Sequence, residues 1–175
     1  VTMPGGTGYQ KGQTNAERMV RITQGEDVAP YPITSGEYVI VNRYSGMALQ
    51  ASGNPVPAGT TLTQGKWYAN STPQRWLIDP VDVRIGGDFG YFTLRCSNNP
   101  EMYADLLNWS LEEGDGLVAY NGTVGANEQW ILEYAGNGDY YIRSRHSGLY
   151  LQSNNSTDGT KITQAALKAK GNQIG

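Results

Sequence analysis

Apolar residues along this chain either alternate with polar ones or gather in runs of four to six, and turn residues close each run before a helical period develops. Tyr38-Val39-Ile40-Val41 gives way to Ser45-Gly46, Phe92-Thr93-Leu94 to Asn99-Pro100, and Trp130-Ile131-Leu132 to Asn137-Gly138. Breakers recurring roughly every 8 to 12 residues predict many short strands and an all-β fold. Composition agrees. The 175 residues include 23 Gly and 12 Tyr, and only 17% are charged. Gly supplies positive φ at turns, while Tyr and Thr suit a pleated, half-buried surface.

One unit is written three times. Tyr38 to Gln50 aligns without gaps to Tyr140 to Gln152, and the segment Gly59 to Gln64 to the segment Gly159 to Gln164. A more divergent copy runs from Tyr91 to Asp105 and resumes at Gly116-Leu117-Val118-Ala119-Tyr120. Two copies close on Gln and Trp followed by apolar residues, as Gln74-Arg75-Trp76-Leu77-Ile78 and Gln129-Trp130-Ile131-Leu132. The third reads Asn172-Gln173-Ile174-Gly175 where a Trp is expected. The copies start near residues 36, 88 and 137, a period near 50 that holds four short strands. Such units cannot bury their apolar faces alone and must close on one another. Three of them predict a β-trefoil over residues 36–175, with repeats 36–87, 88–136 and 137–175, preceded by an N-terminal extension at 1–35.

That extension holds a strand-like stretch from Asn15 to Ile22. Two readings stay open: the tail of an upstream domain, or a strand that completes repeat three with Met19 in the place of Trp130. Trp76 and Trp130 read as core anchors, and Gln74 and Gln129 as buried amides serving the backbone.

The ordered Ser-Gly-x-x-Leu, Gly-Thr-x-x-x-Gln and Gln-x-Trp segments resemble the ricin-B-type lectins and the family-13 carbohydrate-binding modules. The resemblance implies a non-catalytic glycan-binding domain with one shallow pocket per repeat, made of an Asp, an aromatic and an Asn. The chemistry suits sugars. A carboxylate accepts from two hydroxyls, an amide both donates and accepts, and an aromatic ring takes the C–H face. The middle repeat keeps the set in Asp105, Tyr120 (ten residues before Trp130) and Asn127 (three before it), with Glu128 where the family often has Gln. The first repeat offers Gln50, Lys66 and Pro73, with Trp67 or Tyr68 reached by a slip in alignment. The third offers Gln152, Ala165 and Asn172. Asp105, Tyr120, Asn127 and Glu128 are therefore the carbohydrate-binding candidates, and Trp67, Gln50 and Asn172 the weaker ones.

Other chemistry recedes. A net charge of −3 lacks the phosphate-neutralising surface of a nucleic-acid binder, and no apolar run is long enough for a membrane span. One Cys and one His do not make a zinc site, and no metal or other cofactor is expected. His146 reads as a turn residue, and Glu112-Glu113-Gly114-Asp115 as a solvated acidic turn. The resemblance further implies a secreted module, a galactose-, arabinose- or xylose-containing glycan as partner, and a polysaccharide-degrading catalytic domain in the same parent chain. The rival reading is a trefoil protein-interaction domain of the protease-inhibitor kind, and the Gln-x-Trp segments stand against it.

Overall fold

The computed structural model describes residues 15–82, 90–122 and 124–168. Strands β1 (Met19–Gln24) and β2 (Asp27–Val28) come first. The first repeat adds β3 (Gly36–Asn42), β4 (Ala48–Gln50), β5 (Thr60–Thr61), β6 (Thr63–Gly65) and β7 (Trp76–Pro80). The second adds β8 (Phe92–Cys96), β9 (Asn99–Leu106), β10 (Leu117–Tyr120) and β11 (Trp130–Gly136). The third adds β12 (Asp139–Ser144), β13 (Tyr150–Gln152) and β14 (Thr163–Ala165). Among the described residues there is no α-helix, only single 3₁₀ turns.

Six strands close into a barrel in the order β12, β1, β3, β7, β8, β11 and back to β12. The pairs β4/β6, β9/β10 and β13/β14 form hairpins over one end. This is a β-trefoil. At the centre of the hairpin cap Leu62, Leu117 and Ile162 are buried together, and Leu62 N–H donates to Leu117 O (2.9 Å) as Ile162 N–H does to Leu62 O (2.9 Å). The repeated Gln of the Gly-Thr segments has a task here. Gln64 Nε2 donates to the carbonyls of Asn155 (3.1 Å) and Thr157 (2.9 Å), and Gln164 Nε2 to those of Ser110 (3.3 Å) and Glu112 (2.9 Å). Each ties its own hairpin to a loop of a neighbouring repeat and leaves no orphaned amide.

Register identifies the anchor position of each repeat. Trp76 pairs with Tyr38 and Cys96, and Trp130 with Phe92 and Ser144. Both indoles are fully buried, with Nε1 donating to Leu49 O (3.0 Å) and Ala104 O (3.1 Å). The residue that pairs with Tyr140 and Asn42 in the same way is Val20, on β1. Each of the three stands two residues past a 3₁₀ turn, at Ala16–Arg18, Thr72–Gln74 and Ala126–Glu128. The anchor equivalent is therefore Val20 and not Met19, which the strand's alternation turns half toward solvent. Valine leaves room: an apolar gap of about 20 Å³ opens between Val20, Ile40, Leu49, Leu151 and Ile162.

β1 is held on both flanks. Its Arg21 Nε lies 2.9 Å from Asp139 Oδ1 on β12, and Arg43 Nε lies 3.3 Å from the same oxygen, all three side chains buried. Ahead of β1, Asn15 exchanges two hydrogen bonds with Lys168, at 3.3 and 2.6 Å, and Arg18 Nε donates to Ala166 O at 2.7 Å. Gln74 and Gln129 close the segments before their tryptophans: Gln74 Nε2 donates to Lys66 O (2.6 Å) and Gln129 Nε2 to Val124 O (2.9 Å).

Candidate functional site

In the middle repeat β9 and β10 pair so that Asp105 stands opposite Val118, and Tyr103 opposite Tyr120. Period-two alternation puts all four on one face of the hairpin. The 3₁₀ turn before Trp130 carries Asn127 to the same place, where its Nδ2 donates to Asp105 Oδ1 at 3.0 Å. Asp105 and Asn127 form a buried floor, while Tyr120 stands 48% exposed as a wall. Around them opens a cleft of about 280 Å³, bounded also by Leu107, Trp109 and Val118. Its size falls near the small end of small-molecule clefts.

Glu128 does not line the cleft. It is buried beneath it, accepting from Val124 N–H at 2.8 Å and hydrogen-bonding to Asp105. Burial, then the hydrogen bond and the like charge of Glu128, push the Asp105 carboxyl up to about 8, against the opposing bond from Asn127. The proton it holds is the one engaged with Glu128, while its Oδ1 accepts from Asn127. The cleft thus offers a carboxyl, an amide and an aromatic face.

The other two repeats close the corresponding space. The register that pairs Asp105 with Val118 pairs Gln50 with Thr63 and Gln152 with Thr163. Gln50 Nε2 donates to Thr63 Oγ1 and Gln152 Nε2 to Thr163 Oγ1, each at 3.1 Å. The first-repeat residue equivalent to Tyr120 in register is Gly65, not Lys66, because the segment from there to Trp76 is one residue longer than from Tyr120 to Trp130. Gln50 lies over that glycine so closely that a Cβ there would run into its side-chain amide. Trp67 is buried in a small cluster with Val39, Val41 and Ala48, while Tyr68 is exposed. In the third repeat Ala165 takes the aromatic position and Glu17, three residues before Val20, takes the place of Asn127. Asn172 lies outside the described residues.

Trp109 escaped the sequence reading because it lies off the strands, in the loop between β9 and β10. A signal was present: an aromatic four residues past the Asp, within Asn108-Trp109-Ser110. Elsewhere, Cys96 is buried and unpaired, its thiol pushed up to about 12 by burial, so it is inert. Glu112, Glu113 and Asp115 are exposed. Among the described residues no group of three or more His, Cys, Asp or Glu side chains could hold a metal ion, and no helix is long and apolar enough to cross a membrane.

The profile of the "Ricin-type beta-trefoil lectin domain-like" family matches residues 28–120 and 82–165. No curated protein matches the chain. Among solved structures, the designed three-fold symmetric protein ThreeFoil is 30% identical with a TM-score of 0.66, over 78% of this chain and 94% of its own. The exo-β-1,3-galactanase 1,3Gal43A from Clostridium thermocellum is 27% identical with a TM-score of 0.60, over 84% of this chain and 30% of its own. The ricin B-like lectin of Macrolepiota procera, solved with lactose, is 17% identical with a TM-score of 0.63, over 82% of this chain and 95% of its own.

Proposed function

The chain belongs to the ricin-type β-trefoil lectin domain-like family, and from that premise we propose that it binds glycans through the open cleft of its middle repeat. The carrying observation is that Asp105 and Asn127 are hydrogen-bonded on the floor of a cleft beneath an exposed Tyr120, while Gln50 and Gln152 fold onto threonines at the equivalent points. A sugar would lay its C–H face on the Tyr120 ring and spend adjacent hydroxyls on the Asp105 carboxyl and the Asn127 amide. Glu128 acts from below, orienting Asp105 and setting its protonation. One small cleft buries few atoms, so binding is weak and reversible.

The galactanase, of which this chain spans 30%, supports a finer reading. On that reading this chain is a module appended to a secreted polysaccharide-degrading enzyme and directs the enzyme to galactose-, arabinose- or xylose-containing glycans. A glycan array probed with the isolated chain tests the proposal. Retention of short glycans of those classes is the expected result, and Tyr120→Ala should abolish it. An array blank across all glycans, or a Tyr120→Ala variant that binds as well as the parent, would overturn it.

A further inference from the structure

The cleft has a second aromatic wall that the Asp, Tyr and Asn set does not use. Trp109 is 50% exposed and borders the cleft, yet it is not a loose surface residue. It and Asn108 are both left-handed, at φ 55° and 54°, a conformation that a bulky side chain such as tryptophan rarely adopts. Strained backbone of this kind persists only where its surroundings hold it, and it gathers at ligand sites. Here the surroundings come from another repeat. His146, in the turn after β12, makes a hydrogen bond of 2.8 Å between its Nε2 and Trp109 O and sets its ring edge-on to the indole at 5.0 Å. Gln164 on β14 holds the same loop through the carbonyls of Ser110 and Glu112. On the cleft side, Gly125 lets the indole lie against the backbone just before Asn127: a Cβ there would stand 2.8 Å from the ring. The indole is thus fixed in place, with part of its surface open to solvent beside Tyr120.

A fixed, half-exposed indole next to a polar floor suits the apolar face of a sugar, as an aromatic with one side packed and the other wet does generally. We propose that Trp109 is a second stacking wall, so that the cleft takes a glycan of at least two sugar units. One unit lies over Tyr120 above Asp105 and Asn127, and the next lies on Trp109. Trp109 thereby selects chain length, and His146 is a positioning residue contributed by the third repeat. The inference rests on the glycan reading above.

Titration calorimetry on the full chain separates the two. The probes are methyl β-galactoside, arabinose and xylose, set against β-1,3-galactobiose, arabinobiose and xylobiose. Trp109→Ala should weaken disaccharide binding at least about tenfold and leave the monosaccharide constant unchanged, while Trp109→Tyr, which keeps a stacking face, should recover most of the loss. Tenfold corresponds to about 1.4 kcal/mol. Loss of both ligands in equal proportion, or of neither, with an unchanged melting temperature would overturn the second wall while leaving Tyr120 as the site. Should Trp109→Ala fail to fold, the parent's own preference decides: a disaccharide bound no better than its monosaccharide overturns the proposal. If the parent binds no probe of either length, the glycan reading itself falls.

Discussion

A carboxyl buried beside a second carboxyl keeps its proton, and Asp105 over Glu128 is in that position. Between the ordinary carboxylate value of 3.8 and about 8 the folded chain binds more protons at Asp105 than the unfolded chain does. Stability from this group is therefore greatest at acid pH and falls as pH rises through that window. Glu128→Gln removes the like charge, while its amide oxygen still accepts from Val124 N–H. Thermal melts from pH 4 to 9 should show a flatter decline in the variant than in the parent, and parallel curves would contradict the coupling. Of these residues the sequence disclosed the identities and spacing of Asp105, Tyr120 and Asn127. It did not disclose that Glu128 works from beneath the cleft rather than inside it, because depth along a 3₁₀ turn is decided by the barrel it packs on. Nor did spacing along the chain join Trp109 to His146, 37 residues apart.

At the scale of elements, the strand pattern was legible because alternation and turn residues are local, and the three-fold repetition because it recurs. What was not legible is how the barrel closes. β1 lies between β3 and β12 as one of six barrel strands, and its pairing depends on contacts across more than a hundred residues, such as Arg21 with Asp139. A one-residue error in placing that strand makes Met19 the anchor; only register reveals Val20. Two expectations follow. Trp76→Ala or Trp130→Ala removes a fully buried indole and should destabilise by about 3–5 kcal/mol in denaturant melts; unchanged stability would mean the ring is not a core anchor. Deleting residues 1–25 removes a barrel strand and exposes the edges of β3 and β12. The shortened chain should lose its cooperative transition or self-associate. Full retention of the melting temperature in a monomer would show that β1 is dispensable.

For the molecule as a whole, the three-fold plan provides three equivalent places for a pocket, and side chains decide which one opens. In two of them a Gln stands in for the Asp and closes onto a Thr, and among the described residues it is in the middle repeat that a carboxyl, an amide and two exposed aromatics surround open space. The barrel keeps these groups in register while leaving the rim free. The most direct measurement of that account is a nitrogen-15 chemical-shift map of the full chain, titrated with the best-retained glycan. The account predicts shifts confined to residues near Asp105, Trp109, Tyr120 and Asn127, with His146 as the single responder from another repeat. Shifts centred on Gln50 and Trp67, or on Gln152 and Glu17, would contradict it, as would a map with no response at saturating glycan.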